Sequence, residues 1–269
     1  MHKLALIGNP VTHSLSPKLF EEFARQCNIN LTYDKILATS VKDFTTKVDN
    51  FFEDGGLALN ITSPFKHHAY LIATNHTTYS AFCKTANLLY KNDTEQQNIT
   101  AHTTDGYGLL YDMTQNLHTT LYNKNILIIG SGFVVDSILM NIILENPKQL
   151  SILARNIERV EHLQQKFAIN IYNPQVEYDI IINSSINDIS NLLFDKISLI
   201  KTNALCYDLS YLPTVTLFHQ KMLQKNPHIN IQNGFGMLVA QAKIAFELLF
   251  NQKLNIKNII RNMETQNNE

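Results

Sequence analysis

Lys66 and Asp105 are of the right type and in the right setting to move a proton. Lys66 ends the segment Asn60-Ile61-Thr62-Ser63-Pro64-Phe65-Lys66, where an apolar run stops at Ser-Pro and a helix is expected to begin. Ligands of α/β proteins gather at such strand ends, and a lysine there can pass a proton to or from a carbonyl or hydroxyl oxygen. The plainer reading is a solvated surface lysine. Asp105, in Thr103-Thr104-Asp105-Gly106, could hold Lys66 and accept a hydrogen bond from a substrate hydroxyl, or could simply cap the next helix. A carboxylate beside the amine favours the ammonium form, which suits a proton donor in a reduction. A third polar cluster runs from Gly8 to Pro17 and puts Ser14 and Ser16 at a helix N-terminus, a natural seat for a small carboxylate. Capping alone would explain Ser16 but not Ser14.

A different chemistry is written around Gly130-Ser131-Gly132. An apolar strand over 125–129 runs straight into these glycines and then into an apolar helix over 135–144. That layout can bind a pyrophosphate, because glycines let the backbone approach and a helix N-terminus offers free N–H groups and partial positive charge. The motif is incomplete. Val135 stands where a third glycine is expected, and Asp136 brings a negative charge to the helix start. An ordinary βα turn is the competing reading, and the end of the next strand weighs against it. An NAD-binding unit carries an acid there, about 20 residues beyond the glycines. This chain instead has Ala154-Arg155-Asn156, with Arg159 one helical turn on and no acid over 150–156. Guanidinium groups suit a ribose 2′-phosphate, so the cofactor read here is NADP.

These groups need a scaffold, and the apolar pattern supplies one. Strands are expected over 4–7, 31–36, 57–61, 88–90 and 99–103, the last two joined by a polar loop over 91–97. Helices are expected from Ser16, read as N-cap with Pro17 at the first helical position, and over 41–52, 66–74 and 78–86. Beyond residue 104, a helix over 108–117 precedes strands at 125–129, 150–154, 179–182 and 205–209. Helices at 135–144 and 158–167 alternate with them, and a long apolar helix covers 234–250. Such alternation implies parallel sheet with helices on both faces, in two α/β domains. With 269 residues, 45% of them hydrophobic, the chain can fill two cores. Its net charge of -1 offers no electrostatic footprint for nucleic acid or an anionic membrane. No apolar stretch approaches the ~18 residues of a membrane span, and the N-terminus lacks a signal peptide's long apolar region. Cys27, Cys83 and Cys206 are scattered and form no CxxC, which fits a reducing compartment.

The clusters follow one another in a definite order: Gly8-Asn9-Pro10 to His13-Ser14-Leu15-Ser16-Pro17, Asn60-Ile61-Thr62 with Pro64-Phe65-Lys66, Asn87, and Thr104-Asp105-Gly106. Then come Gly130-Ser131-Gly132, Arg155, Asn183-Ser184-Ser185, Tyr207-Asp208-Leu209-Ser210-Tyr211 and Gly234-Phe235-Gly236-Met237-Leu238-Val239-Ala240-Gln241-Ala242. In that combination the chain resembles the shikimate dehydrogenase family, which interconverts 3-dehydroshikimate and shikimate in aromatic amino acid biosynthesis. The resemblance implies that Ser14, Ser16 and Tyr211 hold the substrate carboxylate, and that Thr62, Asn87, Asp105 and Gln241 hold ring hydroxyls. Lys66 and Asp105 would be the catalytic pair. The backbone of Gly130, Ser131, Gly132, Phe133 and Val134, with Arg155, Asn156 and Arg159, would bind NADP, and Leu209 and Gly234 would lie against the nicotinamide.

The resemblance also implies an α/β fold with an N-terminal substrate domain and a Rossmann-like NADP-binding domain over 105–239. The C-terminal helices would return to the substrate domain, which would comprise 1–104 and 240–269. The expected protein is a cytoplasmic monomer or homodimer that needs no metal and meets a small-molecule substrate rather than nucleic acid or membrane. Some positions depart from the family pattern. Phe133 stands where a further glycine is usual, Val134–Asp136 where small residues are usual, Thr103 where asparagine is usual, and Leu88 where threonine is usual. A dual quinate/shikimate dehydrogenase and a non-catalytic ligand-binding relative are the alternatives.

Overall fold

The computed structural model describes residues 1–91, 98–185, 187–211 and 215–260. The polar loop expected over 91–97 lies, from residue 92, outside them. The chain divides into two compact units. The first is Met1–Asp105 with Gln241–Ile256; the second is Gly106–Ala240 with, among the described residues, 257–260.

The first unit contains β1 (His2–Gly8), α1 (Ser16–Cys27), β2 (Leu31–Leu37), α2 (Val41–Glu53), β3 (Ala58–Ile61), α3 (Lys66–Ile72), β4 (Asn75–His76), α4 (Thr78–Cys83), β5 (Leu88–Lys91) and β6 (Ile99–His102). Its described strands form one sheet in the order β2-β1-β3-β5-β6-β4. β1 runs parallel to β2 and β3, whereas β5 runs antiparallel to β3 and β6. Alternate residues Ala5, Ile7, Leu59 and Ile61 pack with Phe44, Val48, Phe51 and Phe52 of α2 and with Phe65 and Ala69. Phe20 and Phe23 of α1 instead meet Phe246 of the C-terminal helix, with ring centroids 6.0 and 5.6 Å apart.

The second unit takes in most of α5 (Asp105–Tyr111), which runs into a π-helical turn at Asp112–Asn116. β7 (Asn125–Ile129), α6 (Phe133–Leu144), β8 (Gln149–Leu153), α7 (Ile157–Phe167), β9 (Asn170–Ile171), β10 (Tyr178–Asn183), α8 (Asn187–Lys196), β11 (Ile200–Asp208), α9 (Leu217–Lys225) and β12 (Asn230–Gln232) follow, then α10 (Phe235–Phe250). The strands pair in parallel in the order β12-β11-β10-β7-β8-β9. Numbered by appearance and read from β9, this is the 3-2-1-4-5-6 order of a doubly wound dinucleotide-binding sheet. Ile126, Ile128, Ile180 and Ile182 face Val135, Ile138, Leu139, Val160 and Leu163. Leu127, Ile129 and Ile181 face Phe194, Phe218 and Met222. The central strands are therefore covered on both sides, which explains their unbroken apolar runs. Each such side chain contributes about 1.5–3 kcal/mol on burial.

Two expectations need correction, and five elements went unseen. Ser16 is the first helical residue rather than the N-cap. Leu15 occupies the cap position, and the Ser14 hydroxyl accepts the Ser16 N–H at 3.3 Å. The helix expected over 108–117 starts at Asp105 and ends in the π-helical turn. β4, β9, β12, α8 and α9 were not legible. The three strands have only two or three residues each, too few to show a period. α9 buries only Phe218, His219 and Met222, a stripe too short to stand out.

Candidate active site

Backbone pairing gathers the first two sequence clusters at the end of β1 and β3. The Thr62 N–H donates to the Ile7 carbonyl and the Asn9 N–H to the Ser63 carbonyl, both at 3.0 Å. A Cβ on Gly8 would lie 2.1 Å from Thr62 Cγ2, so this approach requires glycine. The Asn9-Pro10 and Ser63-Pro64 bonds are cis. Further along the sheet, the Ile61 N–H donates to the Asn87 carbonyl at 2.8 Å and the Ala86 N–H to the Lys66 carbonyl at 2.9 Å. The Asn87 N–H donates to the His102 carbonyl at 3.1 Å. These links deliver Thr62, Lys66, Asn87 and the Thr103-Thr104-Asp105 segment to one edge of the first unit.

The side chains at that edge form a closed polar network. Lys66 Nζ lies 2.5 Å from Asp105 Oδ2, with the two side chains 17% and 7% exposed. The other carboxylate oxygen, Oδ1, accepts from Asn87 Nδ2 at 3.0 Å. Asn87 Nδ2 also lies 2.9 Å from Thr104 Oγ1 and 3.2 Å from Gln241 Oε1, and Asn87 Oδ1 accepts the Thr104 N–H at 2.8 Å. The Thr104 hydroxyl reaches Gln241 Oε1 at 3.3 Å. Asn87, Thr104 and Gln241 are all buried. An ammonium held this way by a shielded carboxylate can protonate an oxygen beside it, and low local dielectric strengthens the hold.

Ser14 Oγ donates to Ser16 Oγ at 3.2 Å. Close by, the Tyr33 hydroxyl donates to Asn60 Oδ1 at 2.8 Å. Burial holds the Tyr33 hydroxyl in its protonated form. The Thr62 side chain is half-buried, and its hydroxyl makes no hydrogen bond among the described residues.

In the second unit the glycine turn lies at the point where strand order reverses, between β7 and β10. Gly130 has φ 104°, and a Cβ there would meet Ser184 Oγ at 2.5 Å. Gly132 is the N-cap of α6, and a Cβ on it would meet nothing within 4 Å. The first N–H groups of α6 have no helical partner. Ser131, Phe133 and Val134 complete the turn, with Phe133 45% exposed. Arg155 is exposed and makes no hydrogen bond or ion pair among the described residues. Asn156 caps α7 by accepting the Arg159 N–H at 3.0 Å. The Arg159 side chain turns back toward the glycines. It pairs with Asp136, donates from Nε to the Ser131 carbonyl at 3.3 Å, and lies 5.8 Å from the centre of the Phe133 ring.

Two family models match the chain. The shikimate dehydrogenase substrate binding domain covers residues 6–89, and the shikimate / quinate 5-dehydrogenase model covers residues 112–193. The shikimate dehydrogenase (NADP(+)) of Vesicomyosocius okutanii subsp. Calyptogena okutanii (strain HA) is 34% identical over 98% of this chain and 99% of its own. The enzyme of the same name from Legionella pneumophila (strain Lens) is also 34% identical, over the same shares. The chain belongs to the shikimate dehydrogenase family. Its fold is also that of shikimate 5-dehydrogenase from Thermus thermophilus, solved in complex with NADP(H) and shikimate. That match has a TM-score of 0.84 and 18% identity, and it covers all of this chain and 99% of the other.

The remaining residues implied by the family resemblance lie in the second unit. A Cβ on Gly234 would fall 2.3 Å from the Leu209 carbonyl oxygen, so the two backbones are in close contact. Tyr211 is half-buried, and burial raises its hydroxyl pKa. Sequence reasoning passed over Asp112. This buried carboxylate accepts from the Tyr207 hydroxyl and from Asn116 Nδ2, each at 2.6 Å. Burial raises its pKa. The Met237 N–H bonds to the Tyr207 oxygen, so Asp112 ties β11 to the first turn of α10, just beyond Leu209 and Gly234. The one sequence signal was an acid inside the apolar run Leu109-Leu110-Tyr111-Asp112-Met113.

Proposed function

We propose that this protein catalyses the NADPH-dependent, reversible reduction of 3-dehydroshikimate to shikimate. The observation that carries the reading is the shielded Lys66–Asp105 pair, tied through Asn87 to Gln241, in a chain of this family. Lys66 gives its proton to the oxygen at C3 as negative charge develops there. Asp105 keeps the ammonium aimed and accepts from a neighbouring ring hydroxyl. Asn87, Gln241 and Thr62 bind ring hydroxyls, and Ser14 and Ser16 take the carboxylate.

The turn fits a dinucleotide. Gly130 has a backbone that side chains rarely adopt, Gly132 leaves open space, and a twelve-residue helix begins there. Gly130, Ser131, Gly132, Phe133 and Val134 would hold the pyrophosphate, Arg155 and Asn156 the 2′-phosphate end, and Leu209 and Gly234 the nicotinamide. When bound, the cofactor supplies the hydride. The three cysteines are free thiols, which suits a cytoplasmic protein. Among the described residues no helix is long and apolar enough to cross a membrane.

The test is to mix the protein with shikimate and NADP and follow the absorbance of reduced nicotinamide, with NAD and quinate in parallel. Reduction with shikimate and NADP is expected. Reduction only with quinate would transfer the protein to the quinate reaction. Silence from folded protein that binds shikimate would end the catalytic reading.

A further inference from the structure

Asp136 is out of place if α6 serves only to attract an anion. It lies in the first turn of that helix, where a negative charge opposes a bound phosphate, and its side chain is only 2% exposed. Two cations answer it, both from α7. Arg159 pairs with Oδ2, and Lys166 Nζ lies 3.0 Å from Oδ1. The same arginine is also committed elsewhere. Its Nε donates to the Ser131 carbonyl inside the glycine turn, its Cζ lies 5.8 Å from the Phe133 ring centre, and its backbone N–H is bonded to the Asn156 cap. Arg155, four residues earlier, is exposed and has no partner among the described residues.

We infer that Asp136 sets cofactor selectivity by clamping Arg159 onto the glycine turn, leaving Arg155 to meet the 2′-phosphate of NADP. In this arrangement Arg159 is a positioning residue. It braces the Ser131 carbonyl and the Phe133 ring, so it shapes the part of the site that NADP and NAD share. Phe133, where the family usually has glycine, gives the guanidinium a face to rest on. The Asp136 charge is cancelled rather than presented to the cofactor. The inference rests on the dinucleotide reading of the turn given above.

The experiment is calorimetric titration of NADPH and NADH into the wild-type protein and into Arg155→Leu, Arg159→Leu and Asp136→Asn. Arg155→Leu should weaken NADPH by about 10–100-fold, the range for losing a hydrogen bond to a charged group, and leave NADH within about threefold. Arg159→Leu should weaken both cofactors by the same factor, to within about threefold. Asp136→Asn should release Arg159 toward the phosphate and raise the NADPH-to-NADH affinity ratio several-fold. A loss in Arg159→Leu about tenfold greater for NADPH than for NADH would overturn the inference, as would an unchanged ratio in Asp136→Asn. A smaller folded fraction lowers the stoichiometry and not the ratio, so partial unfolding cannot imitate either result. Failure of the proposed reaction would show instead as absent turnover in wild-type protein whose cofactor ratio is still measurable.

Discussion

The edge of the first unit and the glycine turn of the second are built from different materials. At the edge, the groups assigned to the substrate are side chains. Lys66, Asn87, Thr104, Asp105 and Gln241 satisfy one another in a buried network, with Lys66 held at 2.5 Å from Asp105. At the turn, the groups assigned to the cofactor are backbone. Gly130 is needed for its φ of 104° and for the space its missing Cβ leaves beside Ser184. Of the side chains nearby, Arg159 donates to the Ser131 carbonyl and pairs with Asp136. A network of side chains can discriminate hydroxyl patterns, because every unmatched polar group is costly. A backbone cradle accepts any diphosphate and must take its selectivity from a residue outside it.

The largest expected effect tests the chemistry assigned to the edge. Lys66→Ala should lower turnover by about 10²–10⁴-fold, as expected for loss of a positioned general acid, with NADPH affinity almost unchanged. Circular dichroism should accompany the assay, because removing one partner of a shielded ion pair strands the other charge. Unchanged turnover in folded protein would take the proton transfer away from Lys66.

The two regions also differ in how far the sequence disclosed them. Lys66, Asp105, Gly130 and Gly132 were readable because each sits where a strand stops and a helix starts, and punctuation by Gly, Ser and Pro marks those places. The link from Asn87 to Gln241 spans 154 positions, and no local pattern encodes a contact that only the folded chain makes. Asp136 looked like a flaw in a phosphate site for the same reason. Its partners Arg159 and Lys166 come from a helix 23 and 30 positions away. The resemblance supplied Gln241 from its motif, whereas the Asp112–Tyr207 bond had no motif to announce it.

A pair of substitutions, smaller in effect, would break the comparison if it is wrong. Gln241→Leu removes the acceptor shared by Asn87 and Thr104 in nearly the same volume. Asn87 Nδ2 keeps Thr104 Oγ1 and Asp105 Oδ1, but the buried Thr104 hydroxyl loses its acceptor. An unpaired buried donor costs about 1–3 kcal/mol, or roughly 5–150-fold, and the loss should fall on KM for shikimate rather than on cofactor binding. Gly130→Ala should do the reverse. A non-glycine residue in so rare a conformation costs about 1–3 kcal/mol, and the displaced turn should weaken NADPH while shikimate binding holds. If each variant harmed both ligands to the same extent, the side-chain and backbone regions would not be separate devices.

The smallest effect concerns stability in acid. Burial pushes the His102 pKa down from 6.5 to about 4. Its ring meets the Thr77 hydroxyl at 2.9 Å, and the residue stands just before Thr103-Thr104-Asp105. Because the folded value is the depressed one, the unfolded chain takes up a proton first as pH falls. Stability is therefore fully present above pH 6.5 and is lost progressively down to about pH 4, below which both states are protonated. A tenfold change in a proton-binding constant is worth about 1.4 kcal/mol, so the loss is on the order of 1–3 kcal/mol. In the second unit, burial also lowers the pKa of His219, but Asp208 and backbone carbonyls pull the other way. The acid slope should therefore lie mainly in the first unit. Denaturant unfolding of wild type and His102→Gln between pH 7 and 4 would measure it. The variant should lose the slope in that window, and hydrogen exchange should show the wild-type opening first around β6. Parallel losses in the two proteins would move the acid sensitivity elsewhere, with His219 the next residue to replace.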